Sequence, residues 1–133
     1  MDNLIVWADI PVLDLERAMK FYGAVLQHGF TTVPGMDGIA LPAPEQAGDG
    51  GAPQGPVPVA FDLAVIADNK PSMNGTIIYL NAEDGPDAML ERAAAAGGEI
   101  LMPARDMGEM AGIIGFFKDT EGNRIGVHKQ HPR

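Results

Sequence analysis

Apolar residues recur along this chain in two rhythms, and the rhythms alternate. Residues 4–12 are mostly apolar and β-prone, which predicts a strand; Pro11 marks its end as an edge or a turn entry. Asp14 follows as a helix cap. Leu15, Ala18, Met19, Tyr22, Val25 and Leu26 then repeat at helical spacing, and Gly29 is placed to take the left-handed position beyond the helix. Residues 30–33 and 38–41 read as strands. Residues 42–58 form a Gly/Pro/Ala/Gln loop with few apolar anchors, the stretch least suited to order. Residues 59–66 are apolar except for Asp62 and read as a strand.

After a polar linker at 68–75 the same succession begins again. Residues 76–80 predict a strand. Asp84 or Asp87 opens a second helix, with Pro86 in its first turn and strong helix formers over 88–96. Gly97 and Gly98 stop it. Residues 99–102 read as a strand and 103–110 as a loop. Residues 112–118 and 124–129 form a closing strand pair around the turn D-x-E-G-N. The order is βαβββ, twice. Asp14, Ala18 and Met19 keep the same mutual spacing as Asp84, Ala88 and Met89, so the chain reads as a duplication. It is one domain over 1–133, made of a module at 1–68 and a module at 75–133.

Composition narrows the chemistry. Of 133 residues, 46% are apolar, enough for a real core at this length. No apolar run approaches the roughly 20 residues that span a bilayer, and the N-terminus lacks the pattern of a secretion signal. A cytoplasmic protein is expected. Cysteine is absent, which removes disulfides, thiolate nucleophiles and cysteine-ligated zinc together. The net charge of -9 disfavours nucleic acid and anionic membrane as partners. Histidine occurs only as His28, His128 and His131.

Three separated motifs carry a family resemblance. IPVLDLERAMKFYGAVL resembles the first strand and helix of the glyoxalase/bleomycin-resistance/dioxygenase superfamily, also called vicinal oxygen chelate proteins. GTIIYLNAEDGPDAMLERAAAAGGEILMP resembles the start of that family's second module, and GIIGFFKDTEGNRIGVH its closing hairpin. The resemblance implies an α+β fold in which each βαβββ module curls a mixed sheet into half a cup, with helices packed outside. It implies a homodimer and a small-molecule ligand. It also implies a divalent metal held by His, Gln or Glu side chains, one from each of four strands.

The residues at those positions do not suit a metal. The family's first ligand falls on Trp7, whose indole carries only a donor. The second module's first ligand falls on Ile77, and the last, usually Glu, on Gly126. Asp62 is the nearest candidate for the fourth. A lone carboxylate holds a divalent cation poorly. The reading is therefore no metal cofactor. The alternative is a divalent metal in a site rebuilt from Asp9, Asp62 and His128.

Strand alternation assigns the cup wall to Trp7, Asp9, Asp62, Ile77, Tyr79, Asn81, Arg124, Gly126 and His128. A few polar groups among aromatics and alkyls suit a small-molecule pocket. Asp9 is the candidate base and Tyr79 the candidate donor in catalysis. Plainer roles compete. Trp7 could fill the metal's volume, Asp9 could pair with Arg124, and Tyr79 could serve sheet packing. Met36, Met107 and Met110 lie in predicted loops at the cup mouth. The expected function is metal-independent small-molecule binding, similar to bleomycin-resistance members. The alternative is an enzyme of lyase, isomerase or dioxygenase type acting on a small carbonyl compound.

Overall fold

The repeated rhythm folds as a repeated unit. A computed structural model describes residues 4–44 and 60–132 of the chain. The first module holds β1 (Trp7–Pro11), α1 (Leu15–Leu26), β2 (Phe30–Val33), β3 (Met36–Pro42) and β4 (Ala60–Ala64). The second holds β5 (Ile78–Asn81), α2 (Pro86–Ala95), β6 (Glu99–Asp106), β7 (Ile113–Lys118) and β8 (Arg124–Lys129). The sheets run β1-β4-β3-β2 and β5-β8-β7-β6, so the two modules share one topology. In each, the first strand pairs parallel with the last, and the other neighbours are antiparallel. The expected α+β architecture of two βαβββ modules is present, with two four-stranded mixed sheets and two helices among the described residues.

Several boundaries differ from the sequence reading for physical reasons. β1 begins at Trp7, because Leu4, Ile5 and Val6 are exposed and lie outside it. Gln27, not Gly29, takes the left-handed position after α1, and its N–H donates to the Gly23 carbonyl. Neither Asp84 nor Asp87 caps α2. Gly85 stands at the cap without a side-chain bond and Pro86 opens the helix, while Asp84 turns aside to pair with Arg92. Met36 belongs to β3 rather than to a loop. β6 runs through Pro103, which was expected to start a loop. Register shifts between Ile100 and Met102 and between Met102 and Arg105 accommodate it, as bulges tolerate a missing N–H. Of the expected 42–58 loop, residues 45–58 lie outside the described residues, as does Val59 of the fourth strand.

Both helices and both sheets contribute to one core. Ile10, Val12, Tyr22, Leu63, Leu80, Leu90, Phe117, Ile125 and Val127 are buried in it. Phe21 of α1 meets Phe117 of β7 with ring centroids 5.8 Å apart, so the first helix packs on the second module's sheet. The strands alternate accordingly. Ala8, Ile10 and Val12 turn toward the core, and Trp7 and Asp9 turn away from it.

The D-x-E-G-N turn fastens the modules together. Asp119 Oδ1 accepts from the N–H groups of Glu121, Gly122 and Asn123 at 2.8–2.9 Å, which fixes the turn. Asp119 Oδ2 accepts from the Tyr22 hydroxyl of α1. Glu121 Oε1 accepts from the Leu13 and Asp14 N–H groups at 2.8 Å, and Oε2 from Arg17 Nε at 2.7 Å. Asn123 Nδ2 donates to the Pro11 carbonyl at 2.7 Å. The turn of one module thus satisfies the start of the other module's helix. Burial alone would raise the Glu121 carboxyl, but Arg17 and the Asp14 and Leu13 N–H groups outweigh it and hold it down to about 2.

Candidate functional site

The side chains that alternation assigned to the cup lie on β1, β4, β5 and β8, except Ile77, which precedes β5 and so stands outside the strand expected to carry it. On the first sheet, β1 and β4 pair in parallel with Asp9 opposite Asp62. Trp7 Nε1 donates to Asp62 Oδ2 at 3.3 Å. Asp62 is 6% exposed, and its Oδ1 is buried without a hydrogen-bond partner among the described residues. Burial, then the hydrogen-bonding proximity of Asp9, raise the Asp62 carboxyl to about 6. Trp7, Asp9 and Asp62 therefore form one cluster.

On the second sheet, β5 and β8 pair in parallel with Tyr79 opposite Gly126. A Cβ placed on Gly126 would lie 2.6 Å from Tyr79 Cε1 and 3.0 Å from Cγ. The Tyr79 ring thus lies across the glycine and occupies the room a longer side chain would need. Tyr79 also stacks obliquely on Phe116 at 5.8 Å, and the Arg124 guanidinium lies 5.7 Å from the centre of that Phe116 ring. Phe117, the next residue, points the other way into the core.

Two cavities lie along the junction of the modules. A polar one of about 330 Å³ is lined by Asp9 and Pro11 from β1, Asn123 from the closing turn, Arg124 from β8, and Lys70 and Asn74 from the linker, among others. Asp9 and Arg124 both line this space without forming an ion pair, so the plainer role weighed for Asp9, pairing with Arg124, is absent. The second cavity, about 550 Å³ and mostly apolar, is lined by Ile5, Ala8, Phe61, Ile77, Tyr79 and Asn81 among others. Asn81 also donates to Glu83 at 3.3 Å.

The remaining predicted positions fall elsewhere. His128 Nε2 bonds the Ala111 carbonyl at 2.8 Å, which ties it to the loop before β7 and not to Asp9 or Asp62. Met107 and Met110 are exposed; Met110 borders a surface depression with Glu109 and His131, away from the polar cavity. Sequence reading missed Lys70, Asn74 and Asn123 as cavity residues. The linker carried no periodic signal, and Asn123 belonged to a turn.

A metal does not fit these residues. Trp7, Ile77 and Gly126 offer no ligand atom, and the Tyr79 ring fills the gap at Gly126. Among the described residues no three His, Cys, Asp or Glu side chains converge as a metal site would require. The rebuilt set of Asp9, Asp62 and His128 is not brought together.

Two curled four-stranded βαβββ modules, with a ligand-sized cavity at their junction, define the class of protein to which the sequence motifs pointed. The chain belongs to the Glyoxalase/Bleomycin resistance protein/Dioxygenase superfamily, whose family model matches residues 4–127. It is 30% identical over 123 residues to the putative glyoxylase CFP32 of Mycobacterium bovis and to that of Mycobacterium tuberculosis. That match covers 91% of this chain and 43% of each relative, so the chain spans less than half their length. Among solved structures, a glyoxalase/bleomycin resistance protein from Albidiferax ferrireducens aligns with a TM-score of 0.69 at 18% identity, covering 98% of this chain and 100% of the other. The fosfomycin resistance protein FosX from Mesorhizobium loti aligns with a TM-score of 0.59 at 16% identity, covering 98% and 94%. At those identities the likeness is one of fold.

Proposed function

We propose that this protein binds a small molecule at the junction of its two modules, and that it does so without a metal. The observation that carries this reading is the polar cavity into which Asp9 and Arg124 both open, uncommitted to each other, beside the Trp7–Asp62 pair. Uncommitted opposite charges in a concave space of this size are what a polar ligand uses for orientation. The names of the structural neighbours, which include bleomycin and fosfomycin resistance, support a small-molecule role for the fold. A thermal-shift screen of small metabolites tests the reading, since a ligand of the folded state raises the melting temperature. Hits that Trp7→Ala and Arg124→Ala both abolish support it; hits that neither variant affects refute it.

A second reading is supported by the buried, unpartnered oxygen of Asp62. In this reading the protein is an enzyme acting on a small carbonyl compound with acid–base side chains, among them Asp9 and Tyr79. Turnover lost in Asp9→Asn with binding retained would favour it. A homodimer is also proposed, because Leu4, Ile5, Val6 and Trp7 form an exposed apolar run beside the junction. Light scattering of the purified protein at several concentrations measures it.

A further inference from the structure

We propose that at mildly acidic pH Asp9 and Asp62 share one proton in the folded protein, and that a ligand oxygen bound in the adjoining cavity takes over that proton's hydrogen bond. The proposal rests on the reading of that cavity as the ligand site. It begins from an unmet need. Asp62 is 6% exposed, its Oδ2 is served by the Trp7 indole, and its Oδ1 has no donor among the described residues. An ionised carboxylate can only accept hydrogen bonds, so an ionised Asp62 would bury an orphaned acceptor.

The neighbour makes this worse. Asp9 stands opposite Asp62 in the parallel pair, so the two carboxyl side chains project from neighbouring strands on the same face. Two carboxylates so placed repel, and neither can donate to the other. One proton relieves both problems, because it gives the pair a donor and removes one charge. Among the described residues the surroundings offer no other remedy. On β1 the facing groups are Trp7 and Asp9. On β3 the partners of Ala64 and Leu63 are Ile39 and Ala40, and the charged residue of that strand, Asp37, is exposed near its start. From the far side of the cavity come Lys70 and Arg124, which face Asp9 across open space. The raised Asp62 carboxyl agrees with this geometry.

The same wall indicates the class of ligand. Asp9 borders the cavity while Asp62 lies behind it, so the shared proton reaches the cavity at Asp9. Lys70, Arg124, Asn74 and Asn123 add further donors. Such a space suits an oxygen-bearing compound, with a carbonyl or carboxamide oxygen at the aspartate end, and disfavours a cation.

Trp7 is the only tryptophan in the chain, and its indole is bonded to Asp62. Its fluorescence can therefore report the pair in the intact protein. A pH titration is expected to show one transition with a midpoint near 6. Asp62→Asn should abolish it, and Asp9→Asn should move it downward by roughly one pH unit, because a like charge is lost. The Asp9→Asn arm decides the matter if Asp62→Asn does not fold. No transition in the natural protein, its persistence in Asp62→Asn, or an unmoved midpoint in Asp9→Asn would each overturn the shared proton. Acetamide, an uncharged carbonyl probe, is expected to raise the midpoint. Methylammonium at matched ionic strength is expected to leave it alone; a midpoint moved by methylammonium and not by acetamide overturns the ligand class. Failure of the metabolite screen with the titration intact would remove the cavity reading and leave the proton pair standing.

Discussion

Asp9 opposite Asp62 in the first module and Tyr79 opposite Gly126 in the second are the same pair in a duplicated scaffold. Each joins the module's first strand to its last in parallel register. The contents are reversed. One pair sets two carboxyl groups together and leaves an oxygen unpartnered. The other lays a ring over a glycine and leaves no gap. Duplication fixed where a side chain points, and each module then filled the position by different chemistry. The satisfied wall supports packing, while the unsatisfied one retains capacity to interact. An unmet buried polar group that persists in a folded protein is where function is to be sought.

The largest disruption of this contrast is to loosen the clasp that holds the two walls in place. Glu121→Ala would strand the Leu13 and Asp14 N–H groups and release Arg17. A loss of about 2–4 kcal/mol is expected in denaturant unfolding. The clasp is also acid-sensitive. Glu121 sits at about 2 in the folded protein against an ordinary 4.5, so its stabilisation is present above 4.5 and is lost as pH falls toward 2. An acid-unfolding profile that Glu121→Ala leaves unchanged would remove this account.

Asp62 has the opposite sign, which sharpens the comparison. Its folded value of about 6 lies above the ordinary 3.8, so the folded state retains a proton that the unfolded chain has released. That contribution is complete below 3.8 and declines as pH rises through 6. Above 6 the buried carboxylate is a standing cost. Asp62→Asn should therefore stabilise the protein at mildly alkaline pH by up to about 3 kcal/mol, and should make little difference below 3.8. Chemical unfolding of both proteins at the two pH values measures it. A variant equally stable or weaker at alkaline pH would show that Asp62 is comfortably ionised.

Much of this was legible in the sequence. The duplicated order, the closing hairpin and the outward set at Trp7 and Asp9 follow from periodicity, because alternation is a local property. Asp62 stood out as the one charge in an apolar strand. What could not be read was relational. The ring of Tyr79 over Gly126 requires the strand register, and the partnership of Glu121 with Leu13, Asp14 and Arg17 joins positions far apart in the chain. Arg124 was on the expected wall, yet its contact is with Phe116 and not Asp9. His128 shared Gly126's face by parity, but its bond to Ala111 takes it out of the site.

Restoring a side chain at Gly126 tests the filled wall directly. Gly126→Ala places a methyl against the Tyr79 ring, which must swing aside. Overpacking of this kind costs about 1–3 kcal/mol. Tyr79 is 46% exposed, so outward rotation is open to it and keeps the cost toward the low end. In the double variant with Tyr79→Ala the Gly126→Ala cost should largely vanish. Additive costs in that cycle would mean that the ring and the glycine are not coupled.

Arg124→Ala has the smallest expected effect on stability and separates the two walls most cleanly. Arg124 is exposed, and its guanidinium lies over the Phe116 ring. An exposed contact of this type contributes about 0.5–1 kcal/mol. Melting temperature should therefore change little, and the Trp7 fluorescence titration should keep its midpoint, since Arg124 is not among the groups acting on Asp62. Binding of any ligand found by thermal shift should nevertheless be lost, because Arg124 faces Asp9 across the polar cavity. If binding survives while stability falls, Arg124 belongs with Tyr79 and Phe116 to the packed wall, and the cavity's charge on that side comes from Lys70.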